Sequence, residues 1–287
     1  MPTTITSGFI KLKENLEITD LQSATVSTRQ QRVREAVEKE MLVNSSFLAG
    51  SYSRSTMIGP LAKSDIDIFI VLNPTYYEKY KPAALLDRVR TVLLKTYTTT
   101  PKISRNGQAV TISFTDFEVD VVPCYNRQGG GFLIPNSKTE TWISTNPPAH
   151  DTKTKEANKA HNGDIVPLIK MMRGWNREIN SAFSGFYLEL MTIDILTNVK
   201  MTDFPSAARY VLDKGREKVK YKQADPAEYG NYVNPLNNVT TVEDAVSRFT
   251  TAYNRAVKAE DFARNNKIEA AYGEWRKIFG GYFPAYG

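Results

Sequence analysis

Residues 65–72 read Asp65-Ile66-Asp67-Ile68-Phe69-Ile70-Val71-Leu72 and are followed by Asn73-Pro74. β-Branched residues bounded by a turn signal predict a buried strand. Successive side chains of a strand point to opposite faces, so Asp65 and Asp67 project from one face and Ile66, Ile68 and Ile70 from the other. Two carboxylates placed this way repel each other unless a cation lies between them. Their oxygens suit a hard ion such as Mg²⁺, which takes one or two protein carboxylates together with substrate phosphates. An acidic strand end open to water is the plainer alternative.

Two neighbours of this strand weigh on the choice. Gly50-Ser51 lies fourteen residues before Asp65, between Phe47-Leu48-Ala49 and Tyr52-Ser53-Arg54-Ser55-Thr56. Glycine permits close backbone approach, and backbone amides with a serine hydroxyl at a strand-to-helix turn can hold phosphate oxygens. Asp120 sits inside a second apolar strand, Phe117 to Pro123, flanked by Val119, Val121 and Val122. A lone carboxylate there is costly to bury unless it is paired or bound to metal.

The remaining chain divides in texture. Expected elements of the first half are a charged helix over Arg29–Met41, a strand over Ser46–Ala49, a proline-started helix over Pro82–Tyr97, and strands Lys102–Arg105 and Ala109–Thr115 around an Asn106-Gly107 turn. Residues 126–150, rich in Gly, Pro and Asn, read as a crossing segment. Helical patterns then cover Asn158–Arg177, Gly185–Lys200, Pro205–Tyr221 and Thr241–Phe279, with a loop over Ala224–Val239. The expected architecture is α+β and bilobal. Residues 1–150 form a mixed sheet-and-helix catalytic lobe with an N-terminal helix packing across both lobes, and 151–287 a helical lobe. A cleft between such lobes is a usual place for a ligand.

The chain has 287 residues, 41% hydrophobic and 24% charged, which excludes a wholly disordered protein. Lys and Arg total 37 and Asp and Glu 31, a net +6 that suits phosphate-bearing partners or plain solubility. No apolar run approaches the roughly 20 residues of a membrane-spanning helix, and no signal peptide opens the chain. The single cysteine, Cys124, excludes an internal disulfide framework and reads as packing in a reducing, cytoplasmic protein. His150 and His161 have no cysteine partner for zinc. Trp142 and Trp175 read as core, and the basic run Lys214–Lys222 as a solvated helix face.

The Gly-Ser turn, the paired aspartates and the third in-strand aspartate together resemble the nucleotidyltransferase fold of the polymerase-β superfamily. Later segments narrow the resemblance to the bacterial cGAS/DncV-like nucleotidyltransferases (CD-NTases). They are Phe132-Leu133-Ile134-Pro135-Asn136, Trp142 to Pro147 with His150, Leu168 to Asn176, Ser184 to Glu189 and Asn234 to Val239. The resemblance runs from about residue 30 to about residue 280. It implies synthesis of a cyclic di- or trinucleotide from nucleoside triphosphates, with release of pyrophosphate, in CBASS-type anti-phage defence; a purine-containing cyclic dinucleotide from ATP, GTP or both is expected. It further implies two Mg²⁺ ions (replaceable by Mn²⁺) on Asp65, Asp67 and Asp120, and a phosphate-holding turn at Gly50 and Ser51. Lys170 matches the helical lysine that reaches the triphosphate and Ser184 a pocket serine, while Phe186 or Tyr187 offers a ring for base stacking. A separate effector would read the product, a regulatory partner is possible, and neither membrane nor nucleic-acid template is required. Competing readings are an RNA-end nucleotidyltransferase of CCA-adding or poly(A) type, for which few residues remain to bind RNA, and a catalytically silent nucleotide-binding module.

Overall fold

The structure, a computed structural model, describes residues 2–100 and 102–287. The chain forms two compact units, one of Ile18–Thr152 and the other of the residues up to Glu17 with Lys153–Gly287. The first helix, α1 (Ile5–Leu16), groups with the C-terminal helices and is started by a Thr4–Ser7 capping box.

The unit Ile18–Thr152 begins with α2 (Asp20–Glu38), which starts nine residues before the expected Arg29 because Thr19 and Gln22 form a capping box. It continues through β1 (Val43–Leu48), the one-turn α3 (Gly50–Ser53), β2 (Asp65–Leu72), α4 (Thr75–Lys79), α5 (Pro82–Thr96), β3 (Lys102–Asn106), β4 (Ala109–Ser113) and β5 (Glu118–Asn126). The order across the sheet is β1-β2-β5-β4-β3, with β2 and β5 parallel and the other neighbours antiparallel. The β3–β4 turn is Gly107-Gln108, one residue later than expected. Asn106 pairs with Ala109, and Gly107, at φ 64°, takes the first turn position. The stretch read as a crossing segment instead carries a hairpin, β6 (Phe132–Asn136) and β7 (Thr141–Thr145), which extends the sheet from the end of β5.

The alternation in β2 sorts the sheet's two faces. Ile66, Ile68, Ile70 and Leu72 join Val119 and Val121 of β5 and Val110 and Ile112 of β4, under Val33 and Val37 of α2 and Leu86 and Val89 of α5. The opposite face carries a small apolar cluster of Ala49, Phe69, Val71, Ala109, Val122 and Cys124. The acidic residues share that second face.

The helical unit contains α1, the later part of α6 (Pro147–Ala160), α7 (Ile165–Glu178), α8 (Gly185–Leu196), α9 (Phe204–Lys218), the short pair β8 (Gln223–Ala224) and β9 (Tyr232–Val233), α10 (Val242–Arg264) and α11 (Ile268–Phe279). Two expected helices are each split. Asn162 and Gly163, at φ 53° and 93°, separate α6 from α7, and Asn266, at φ 56°, separates α10 from α11. Left-handed backbone cannot continue a right-handed helix. Trp175, Phe183 and Phe249 pack together in the core of this unit, as do Phe9, Trp275 and Phe279. No helix among the described residues is long and apolar enough to cross a membrane.

Candidate active site

Strand register brings the acids together. Asp67 of β2 lies opposite Asp120 of β5, Asp65 opposite Glu118, and Thr111 of β4 opposite Asp120 on its other side. Ligand oxygens of Asp65, Asp67 and Asp120 all lie within 4.8 Å of one another. Asp65 is exposed, whereas Asp67 and Asp120 are half-buried. Burial pushes the Asp120 carboxyl above its ordinary range. The Thr111 hydroxyl, donating to Oδ1 at 2.5 Å, opposes that shift, and the negative charges of Asp65 and Glu118 add to it.

The donor set fits a hard divalent cation: three carboxylates converge on one face, and proximity to Asp65 works against ionisation of Asp120. A cation among them removes that repulsion.

Gly50 closes the β1 side of this group. Its φ is +67°, and a Cβ built there would stand 1.9 Å from Asp67 Oδ2. Only glycine lets the turn lie against the carboxylate. The Ala49 amide donates to the Asp67 carbonyl at 2.9 Å, which fastens the turn to β2. Half-buried Ser51 accepts through its carbonyl from the amides of Thr56 and Met57, at 2.9 and 3.0 Å. The Ser53 hydroxyl donates to the Gly50 carbonyl and to Asp151 Oδ1, at 3.1 and 2.8 Å.

On the other side of the acids a cavity of about 360 Å³ opens beside Asp67 and Asp120. Phe69, Val122 and Ile134 line it, together with Asn106, Gln108, Asn136 and Lys138. These four polar residues were not among the expected site residues. The Asn-Gly pair signals a turn in the sequence, but nothing local shows what that turn faces.

Lys170, Ser184 and Phe186 belong to the helical unit. Lys170, on α7, is buried, and its Nζ donates to Glu17 Oε2 at 2.5 Å. Ser184 caps α8, its hydroxyl accepting from the Tyr187 amide at 3.4 Å. Phe186 is half-buried, whereas Tyr187 is fully buried with its hydroxyl 2.7 Å from the Lys218 carbonyl. A side chain at Gly185 would meet the Arg173 guanidinium at 3.0 Å, so Arg173, three residues after Lys170, lies against the start of α8.

The basic run is largely neutralised: Arg216 and Lys214 pair with Asp213, Lys218 with Asp194, and Lys220 with Glu217. Among the described residues, the group of three or more potential metal-ligating side chains is the aspartate triad, and neither His150 nor His161 enters it. Cys124 is buried with its thiol pKa pushed far up by burial, and Trp175 is core, while Trp142 is half-buried against the larger sheet cluster.

An α+β sheet with three clustered aspartates and a glycine turn against one of them defines a nucleotidyltransferase. Residues 3–158, more than half of the chain, match the Second Messenger Oligonucleotide or Dinucleotide Synthetase domain, and the chain belongs to that family of cyclic oligonucleotide synthases. It is 29% identical over 256 residues to a cyclic AMP-AMP-AMP synthase from an Acinetobacter species, covering 83% of this chain and 72% of the relative. It is 23% identical over 352 residues to a cyclic AMP-AMP-GMP synthase from Enterobacter hormaechei, covering 96% and 91%. The fold is shared with the cyclic AMP-GMP synthase DncV of Vibrio cholerae, solved with a linear intermediate (TM-score 0.78, 13% identity, covering 95% of this chain and 94% of that one). It is also shared with CdnC of Escherichia coli, solved in complex with a HORMA protein (TM-score 0.75, 18% identity, 98% of each chain).

Proposed function

We propose that this protein joins purine nucleoside triphosphates into a short cyclic oligonucleotide that a separate effector reads in anti-phage defence. The observation that carries this reading is the convergence of Asp65, Asp67 and Asp120 within 4.8 Å on one sheet face. These three would hold Mg²⁺, as two ions or with Mn²⁺ in their place. When bound, such ions supply Lewis acidity to the phosphoryl oxygens and a lowered pKa for the attacking hydroxyl.

In each transfer a ribose hydroxyl oxygen forms a bond to the α-phosphorus of a second nucleotide. The α–β bridging bond breaks, pyrophosphate leaves with the electron pair, and the hydroxyl proton passes to solvent. Gly50 and Ser51 form the turn assigned to the phosphates. Lys170 is assigned to neutralise the β- and γ-phosphates, exchanging its Glu17 partner for them. Ser184 is assigned to the nucleotide pocket and Phe186 to a stacking face. The three acids belong to the unit Ile18–Thr152, and Lys170, Ser184 and Phe186 to the helical unit.

The product size put forward is a dinucleotide. A trinucleotide is the second reading, favoured by the products for which the Acinetobacter and Enterobacter relatives are named. A regulatory protein partner is also proposed, because CdnC was solved in complex with a HORMA protein.

The test incubates the protein with all four labelled triphosphates and Mg²⁺ or Mn²⁺, followed by phosphatase and mass spectrometry. A resistant cyclic purine product is expected, its mass giving the number of nucleotides. Asp65→Asn with Asp67→Asn should lose roughly a thousandfold or more, since a bound metal contributes several kcal/mol and each 1.4 kcal/mol is tenfold in rate. Activity of the folded double variant within tenfold of the parent would sink the assignment.

A further inference from the structure

The cavity beside Asp67 and Asp120 extends beyond the acids along β2 and β5. Its apolar floor, Phe69 and Val122, lies two residues, or about 6.6 Å, further along each strand. Its far wall is made of two turns that are tied together: the Ser137 amide and hydroxyl both donate to the Gly107 carbonyl, at 3.0 and 2.8 Å. Asn136 Oδ1 accepts from the amides of Lys138 and Thr139, at 3.0 and 3.4 Å, so its Nδ2 remains as a donor. The side chains of Asn106, Gln108 and Lys138 have no hydrogen-bond or ion-pair partner among the described residues, although all line the cavity.

An apolar floor, a rim of carboxamides and an ammonium, and carboxylates at one end complement a nucleoside. The flat base covers the floor, its polar edge meets the rim, and the ribose hydroxyls reach toward the acids. At about 360 Å³ the space falls near the small end of ligand pockets, enough for one nucleoside. Sheet order decides which nucleotide this is. Gly50 follows β1 on one side of the acids, and the cavity lies over β5 and β4 on the other. A triphosphate over the Gly50 turn therefore leaves the cavity to the partner that supplies the attacking hydroxyl.

We propose that Asn106, Gln108, Asn136 and Lys138 read the base of the acceptor nucleotide, and that this base is a purine. The inference rests on the synthase reading above. Carboxamides pair bidentately with the N6 and N7 atoms of adenine, and lysine with O6 and N7 of guanine. A pyrimidine has no N7 for these pairings, and its single ring covers less of the apolar floor.

Two measurements test this separately from turnover as such. Ligand-observed NMR in EDTA, with adenosine, guanosine, cytidine and uridine, reads the cavity without metal or chemistry. Saturation transfer to a purine nucleoside is expected, reduced at least about fivefold in Gln108→Ala with Lys138→Ala. Its absence from the parent protein, or its persistence in the folded double variant, overturns the proposal. In the second measurement, α,β-methylene triphosphates of the four bases, which accept but cannot donate, are offered against labelled ATP. The parent should favour purine acceptors, and the double variant should lose that preference by at least about fivefold, the lower end of one bidentate pair's worth of discrimination. Unchanged acceptor preference overturns the proposal and leaves the synthase reading intact. A parent that transfers nothing fails the synthase reading, and the NMR result still decides whether the cavity binds purines.

Discussion

Gly50 and Asp67 touch so closely that a methyl group on Gly50 would stand 1.9 Å from Asp67 Oδ2 and 2.9 Å from its carboxyl carbon. Gly50→Ala therefore combines two effects. Left-handed backbone costs a non-glycine residue roughly 1–2 kcal/mol, and the carboxylate must also leave its place. Gly230, at φ +78° with nothing within 4 Å of its Cβ position, isolates the backbone effect. Thermal melts should show both alanine variants destabilised. Steady-state assays should show at least tenfold loss for Gly50→Ala alone. Equal activity of the two variants would mean that the glycine serves only the turn.

Lys170 holds the second relationship that bears on activity. Its side chain is 8% exposed and its Nζ is bonded to Glu17 Oε2 at 2.5 Å, while the Glu17 side chain is 45% exposed. Under the proposed function, a triphosphate would compete with that carboxylate for the lysine. Lys170→Ala should weaken nucleotide binding and slow turnover, and Lys170→Arg should restore only part, because a planar fork differs from a point charge. Glu17→Gln leaves the buried ammonium without its carboxylate, so the free protein should melt lower and gain more from added triphosphate. Calorimetric titration and melting with and without ATP check these directions. Unchanged ATP affinity in Lys170→Ala would confine the lysine to a structural role.

The alternation of residues 65–72 already separates the acids from the core face, and Asp120 stands out as a carboxylate within valines. The chemistry of the sheet was legible for that reason: period-two patterning is local. What lay hidden depends on distant partners. Lys170 and Glu17 are 153 residues apart in sequence, so their pairing is invisible until the fold joins them, although the resemblance already singles out the lysine. The β6–β7 hairpin was masked by its half-buried residues and the Gly, Pro and Asn around them. The two helix breaks rest on Asn162 with Gly163 and on Asn266, where asparagine tolerates left-handed backbone without a proline to announce it. Gln108 and Lys138 stand on turns whose facing cavity exists only after five strands are assembled.

Tyr187 predicts how the helical unit answers to alkali. Burial pushes its phenol from the ordinary 10 up to about 12, and its oxygen lies 2.7 and 2.9 Å from the carbonyls of Lys218 and Tyr221. The folded state thus keeps a proton that the unfolded chain releases near 10. The stabilisation is complete below pH 10 and declines as pH rises through about 12. Tyr187→Phe should lower stability at neutral pH by about 1–3 kcal/mol, the cost of leaving buried carbonyls without a donor. It should also flatten the decline between pH 10 and 12. Urea titrations across that range measure both, and an equally steep decline in the variant would assign it to other groups.

The last prediction separates cyclisation from extension of an RNA end. An RNA-end enzyme grips its primer through a basic surface, and its affinity falls steeply as salt rises because phosphate contacts release counterions. The one dense basic run here offers little of that kind, since Lys214 and Arg216 face Asp213, Lys218 faces Asp194 and Lys220 faces Glu217. A cyclase needs only nucleotides: it joins them, turns the linear intermediate and attacks again over the same three aspartates. Labelled triphosphates alone should therefore yield a phosphatase-resistant product. Added RNA should be neither consumed nor required, and the rate should not follow the steep salt dependence of primer binding. If label instead appears as a ladder on an RNA primer, and nothing forms without one, the RNA-end reading replaces the cyclase.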